Sequence, residues 1–335
     1  MASALRTNTT LRVLRLRNTH ITANGASCIF DALKQNDTLE ELYLEKNDIS
    51  AYACKSLGKM LRVNKKLRVL HINQNPIRSD GTAAIAEALH HNTTLEEFCL
   101  QQGGFDSKAV DTLGRMLFKN TSLKVLQLVH TKLDSDDIVV LCRFLEHNRT
   151  LRQLVITGSW IQPKAAKALS RLLQRTTSLQ KLCLWGNSIK NDGVLELVDG
   201  IKQNQSLKVL RIMKNQISDK GAKAVAEAVK ENAFLTELDL SGNQIKARGI
   251  EALTNMMKEN LSIEIFGIHG NQITESQKEK LKSYTKLNKA GRKLLQQTNV
   301  PLDTWVDTLA KISDETELCY YLLRQKPEMF TQIVK

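Results

Sequence analysis

Proline is scarce in this chain, four residues in 335, and aromatic residues make up only 5%. So little proline excludes a long Pro-rich linker. No stretch approaches the ~18 consecutive apolar residues of a membrane-spanning helix. The first residues, Met1-Ala2-Ser3-Ala4-Leu5-Arg6, contain no apolar run of signal-peptide length. The six cysteines (Cys28, Cys54, Cys99, Cys142, Cys183 and Cys319) form no Cys-x-x-Cys pair and match no zinc-ligand spacing. These absences lead us to expect a cytoplasmic chain with free thiols, bound to no membrane.

Catalytic patterns are missing as well. There is no Gly-x-Gly-x-x-Gly after a strand, no Walker-type phosphate loop and no Gly-x-Ser-x-Gly. The seven histidines are scattered, and the paired acids Asp136-Asp137 fall at a helix start, which accounts for them without chemistry. The expectation is a non-enzyme without metal or cofactor.

What the chain does have is a period. The pattern Leu-x-x-Leu-x-Leu-x-x-Asn-x-Ile recurs every 28 residues, beginning at Leu11, Leu39, Leu67, Leu95, Leu123, Leu151, Leu179, Leu207 and Leu235, with Ile263 in the tenth register. A fixed period between about 20 and 50 residues predicts a solenoid, in which each unit buries its apolar face only against its neighbours. In Leu39–Ile49 the alternation turns Leu42 and Leu44 inward and Glu41 and Tyr43 outward, as in a short half-buried strand. Stacked repeats then form a parallel sheet. Cys99 and Cys183 share one register three repeats apart, roughly 14 Å at the usual strand spacing, too far for a disulfide. The second half of each repeat carries helical spacing, as in Asp80–Leu89 and Asp219–Lys230. Ser79 or Asp80 is the expected cap of the former.

Two asparagine registers accompany the leucines. One follows the strand (Asn47, Asn75, Asn187, Asn215, Asn243, Asn271) and departs at Thr19, Gly103, Thr131 and Ser159. An amide there can bond neighbouring backbone. The other ends each helix (Asn8, Asn36, Asn64, Asn92, Asn120, Asn148, Asn204, Asn232, Asn260), with Thr176 the exception. Asparagine tolerates the left-handed conformation common at helix ends. Seven positions of this register spell Asn-x-Ser/Thr. We read them as the requirement of the repeat rather than as glycosylation sites.

These 28-residue units, each with a full helix, resemble the ribonuclease-inhibitor type of leucine-rich repeat from about Leu5 to Ile273. The resemblance implies a right-handed α/β solenoid, a horseshoe of about ten repeats with a concave parallel sheet and convex helices, and a role in protein–protein binding. The expected division is a solenoid over 1–273 and a helical C-terminal cap over 274–335. Thr274-Glu275-Ser276-Gln277 starts the cap, Leu302 to Ile312 and Glu315 to Leu323 continue it as helices, and Lys326-Pro327-Glu328-Met329-Phe330 ends it. Leu287–Arg292, Trp305 and Tyr320–Glu328 look like the tail of intracellular leucine-rich-repeat proteins of diatoms and related algae. At the other end, Ala2–Asn8 matches the last turns of a repeat helix, so the chain is expected to begin inside a repeat.

The outward strand positions are where such a protein takes a partner. Most are polar. In repeats five to eight Val125, Val129, Val155, Trp185, Val209 and Met213 point outward, Trp160 lies on the adjoining turn, and Arg211 and Lys214 stand beside the patch. Trp185 is the expected central anchor. The leading expectation is an interaction scaffold for a protein partner. An activator of a Ran-like GTPase, or the sensor region of a larger receptor, is the alternative, although the acidic tail of the former family is absent. The formal net charge of +13 suggests acidic partners, and seven Lys or Arg against one acid between Lys278 and Lys293 raise nucleic-acid binding. The single aromatic of that segment, Tyr284, makes no stacking platform.

Overall fold

The computed structural model describes residues 1–101, 105–293, 302–313, 316, 319, 320 and 324. Ten parallel strands form one open sheet in sequence order. They are β1 Val13–Arg15, β2 Glu41–Tyr43, β3 Val69–His71, β4 Glu97–Gln101 and β5 Val125–Val129. The series continues with β6 Gln153–Thr157, β7 Lys181–Cys183, β8 Val209–Arg211, β9 Glu237–Asp239 and β10 Ile265–Gly267. Every strand pairs with the next at an offset of 28 residues: Leu14 opposes Leu42, Leu42 opposes Leu70, and Leu210 opposes Leu238. A helix of 11 to 14 residues follows each of the first nine strands. This is the expected α/β solenoid horseshoe, with strands inside the arc and helices outside.

One apolar core runs the length of the arc, from Leu5 to Leu281. The motif leucines Leu39, Leu42 and Leu44 and the closing Ile49 are fully buried. Small residues let the helices approach. Between α7 (Pro163–Arg175) and α8 (Lys190–Gln203), Gly200 donates its N–H to Ser170 Oγ at 2.9 Å, and a Cβ there would stand 2.5 Å from the Ser170 carbonyl oxygen.

Both asparagine registers are inter-repeat staples. Asn47 donates to the carbonyls of Leu16 and Leu44, and its Oδ1 accepts from the Ile21 amide at 2.9 Å, so one amide ties a strand turn to the preceding repeat. The helix-end asparagines are extended rather than left-handed, with Asn204 at φ −73°, ψ 134°. The expectation of a left-handed cap is therefore corrected. The extended backbone lets Asn204 Oδ1 accept from the Leu207 amide while Nδ2 donates to the Leu173 carbonyl, 31 residues back, each at 2.6 Å. From Asn36 onward these amides are buried, as the repeat reading of the Asn-x-Ser/Thr signals requires. Where threonine replaces asparagine, Thr176 Oγ1 accepts from Leu179 N at 3.3 Å and, among the described residues, from no other donor. A gap lined by Leu145, Asn148, Leu172, Thr176 and Leu179 opens there.

The left-handed conformation occurs elsewhere. It recurs at the eighth motif position, where Asn18, Lys46, Gln74, His130 and Lys214 have φ of 49° to 56° and Gly158, Gly186, Gly242 and Gly270 have φ of 60° to 69°, and it also occurs at His20, Arg78, Lys132, Lys190 and Gln216. The cap expected from Ser79 or Asp80 is also corrected. The helix Arg78–Leu89 has no side-chain cap. Ser79 Oγ instead accepts from the Asp106 amide of the following repeat at 2.7 Å.

Beyond β10, helix α11 (Glu275–Lys289) starts on a reciprocal capping box between Thr274 and Gln277. Leu281 completes the main core, while Leu287 and Ala290 pack with Trp305 of α12 (Leu302–Ala310) and with Ile312. Gly103, Leu294, Leu295, most of the stretch Glu315 to Leu323, and the segment 326–330 lie outside the described residues.

Candidate functional site

The concave sheet divides into two regions by its side chains. Over β1–β5 it is a lattice of ion pairs across repeats. Arg15 reaches Glu41 at 3.7 Å and lies over the Tyr43 ring, and Tyr43 donates its hydroxyl to Glu41. Arg68 and Lys124 both reach Glu96, at 3.3 and 2.8 Å. His71 sits between two acids, 3.6 Å from Glu45 and 2.8 Å from Glu97. The bond from His71 is the main reason the Glu97 carboxyl lies below its usual range, with partial burial opposing it. The charges along these strands are thus largely paired across repeats: Arg12, Arg15 and Arg68 each face a neighbouring glutamate. Exposed pairs of this kind contribute roughly 0–1 kcal/mol each.

Over β5–β8 the lattice gives way to an apolar face. The strand register sets Val129, Thr157, Trp185 and Met213 on successive repeats in one row, and places Val155 beside Cys183 and Cys183 beside Arg211 in the next. Val209 follows Lys181 in a third. The expected apolar outward residues on these strands, Val125, Val129, Val155, Trp185, Val209 and Met213, are all half-buried. Trp185 is held from two sides: the His130 ring lies 6.4 Å away edge-on, and Lys214 Nζ stands 5.4 Å over the indole. His130 has room because Gly158 lies beneath it; a Cβ on Gly158 would fall 1.9 Å from His130 Nδ1. The buried Trp185 Nε1 has no hydrogen-bond partner among the described residues.

The remaining expected site residues differ in availability. Arg211 donates from Nε to Glu237 at 2.5 Å, and that bond raises its pKa further, so its charge is already engaged. Lys214 is exposed. Trp160, 71% exposed, lies off the strand face on the turn into α7, where its backbone bonds Leu133 and Ser135. Cys183 is a half-buried free thiol whose pKa is raised by burial. Cys99, outward by register, is buried, and its thiol is pushed up to about 12, chiefly by desolvation.

The basic run on α11 is partly neutralised within the helix, by Lys278–Glu275 at 2.7 Å and Lys282–Glu279 at 3.2 Å. Its aromatic, Tyr284, packs against both apolar clusters, with Arg292 over its ring at 5.5 Å. No group of three or more metal-ligating side chains occurs among the described residues, and no helix there is long and apolar enough to cross a membrane.

A leucine-rich-repeat family model matches residues 7–30, 63–86, 147–170, 203–226 and 231–253. The matched segments are leucine-rich repeats, and the ten strands stack at the same 28-residue offset throughout. Among solved structures, an internalin from Listeria monocytogenes is 19% identical with a TM-score of 0.48, over 84% of this chain and 73% of that one. The tropomodulin C-terminal domain of Caenorhabditis elegans is 14% identical with a TM-score of 0.40, over 48% and 97%. The actin-binding site 2 of leiomodin-1 is 22% identical, also at 0.40, over 44% and 86%. No curated protein matches the chain.

Proposed function

We propose that this chain is a non-enzymatic scaffold that binds a protein partner on the concave face of repeats five to eight, with Trp185 as the central anchor. The observation that carries this reading is the run of apolar side chains on four adjacent strands: Val129, Val155, Trp185, Met213 and Val209 share one face. Interfaces concentrate their energy in such residues, and tryptophan leads among them. Met213 adds an adaptable side chain beside the indole, and Trp160 offers a second aromatic at the rim. The 28-residue period and the full helices support the ribonuclease-inhibitor type of repeat. We read 1–273 as the solenoid and 274–335 as a cap, on the packing of α11 and α12 beyond β10.

Affinity capture from the source cell's lysate tests the proposal, comparing the native chain with a Trp185→Ala/Met213→Ala variant that circular dichroism shows to be folded. A protein retained only by the native chain supports the concave site. Equal capture by both overturns it.

A further inference from the structure

The apolar face is also a region without carboxylates. Across the outward segments of four consecutive strands, residues 124–130, 152–158, 180–186 and 208–214, there is no Asp or Glu. Acids resume on either side, at Glu96 and Glu97 before the window and at Glu237 and Asp239 after it. Within it Arg152, Lys181 and Lys208 stand at the N-terminal ends of their strands and Lys214 at the C-terminal end. None of the four has an ion pair among the described residues, whereas Lys124 and Arg211, at the two margins, are paired outward to Glu96 and Glu237. Four strands span roughly 14 Å at the usual spacing, so these charges edge a narrow apolar strip.

We infer that the partner of this face is a protein segment rich in Asp and Glu around an aliphatic or aromatic anchor. The inference rests on the concave-site reading and adds to it the partner's chemistry. Two features carry it. The unpaired cations favour an acidic rim on the partner, which steers association and rejects basic surfaces. The strip between them is mostly aliphatic, and Lys214 lies over the ring of its one indole. A nucleic acid stacks its bases on open aromatic faces, which this strip does not offer.

Peptides selected from a random display library on the full chain test the inference. Three labelled probes accompany them: an Asp/Glu-rich peptide with a Leu-Phe anchor, its Lys/Arg counterpart, and polyuridine. The charge variant is Arg152→Gln/Lys181→Gln/Lys208→Gln; the anchor variant is Trp185→Ala/Met213→Ala. The expected result is selection of acidic peptides with an apolar centre. Their affinity should fall about tenfold in the charge variant, with loss of salt dependence, and fall further in the anchor variant. Selection of neutral or basic peptides, or of none, overturns the inference. So does preference for polyuridine, or unchanged binding by the charge variant. If the anchor variant still loses binding in those cases, the concave site survives and only the acidic partner is lost. If it binds undiminished, both fail. Should the triple variant not fold, Arg152→Gln and Lys208→Gln singly, both exposed side chains, carry the same comparison.

Discussion

Lys214 Nζ lies 5.4 Å above the Trp185 ring from a backbone held at φ 50°. Two effects therefore oppose each other at one residue. The cation over the indole stabilises by about 0.5–1 kcal/mol. The left-handed conformation costs a side-chain-bearing residue roughly 1–2 kcal/mol. Lys214→Gly and Lys214→Ala both lose the cation, but only glycine is relieved of the strain. We expect Lys214→Gly to be more stable than Lys214→Ala by about 1 kcal/mol in urea unfolding, with equal values counting against the balance drawn here.

The two glycines between His130 and Lys214 separate conformation from space. Gly186 has φ +67° with open surroundings, so Gly186→Ala should cost only the backbone term, about 1 kcal/mol. Gly158 has φ +60° and the His130 ring upon it. Gly158→Ala should cost at least ~3 kcal/mol, and the Gly158→Ala/His130→Ala pair should recover part of it. Thermal unfolding of the three variants decides.

Thr176 is the break in the helix-end ladder. Thr176→Asn should restore the donor to the carbonyl 31 residues back and fill the gap beside Leu145 and Leu172. It should stabilise by about 1 kcal/mol. Asn204→Ala, which strips buried bonds to Leu173 and Leu207, should destabilise by about 2–4 kcal/mol. Chemical denaturation of both variants tests the pair of opposite signs.

Glu97 sets an acid dependence. Its carboxyl is depressed below the usual 4.5, first by the bond from His71. A group depressed on folding contributes stability at pH above its unfolded value and loses it as pH falls through the folded one. Stability of the native chain should therefore drop from about pH 6 to about pH 3 more than that of a His71→Gln variant, in which the depression is reduced. Parallel urea curves at both pH values would count against this.

Thiol reactivity should follow burial. Cys28 is exposed, whereas Cys54 is buried and its thiol is pushed up to about 12 by desolvation. Iodoacetamide at neutral pH should modify Cys28 well before Cys54, read by peptide mass spectrometry.

Much of this molecule could be read from its letters because the 28-residue period fixes both the partner of every strand and the side to which each residue turns. Leu42 and Leu44 inward, Trp185 and Met213 outward, follow from parity alone. What escaped depends on contacts between repeats. The bond from Asn204 ends at a carbonyl 31 residues away, and Arg211 finds Glu237 26 residues on. The left-handed eighth position was hidden because lysine, histidine, glutamine and asparagine alternate there with glycine. The carboxylate-free window was present in the letters, but it emerges only when the four segments are laid side by side. The basic run at 278–293 is the stronger charge signal along the linear sequence, yet α11 pairs two of its lysines internally.

Three of the staples are missing in that window, while Asn148, Asn187, Asn204 and Asn215 keep theirs. Thr131 and Ser159 replace the strand-side amides with buried hydroxyls that lack partners among the described residues, and Thr176 breaks the helix-side series. A repeat array holds together through nearest-neighbour contacts, so each missing staple removes bonds from the joint it would have tied, and at β4–β6 five-residue ladders stand beside that loss. Restoring asparagine at 131, 159 and 176 together should therefore stiffen the middle of the arc, read as slower amide exchange in its strands.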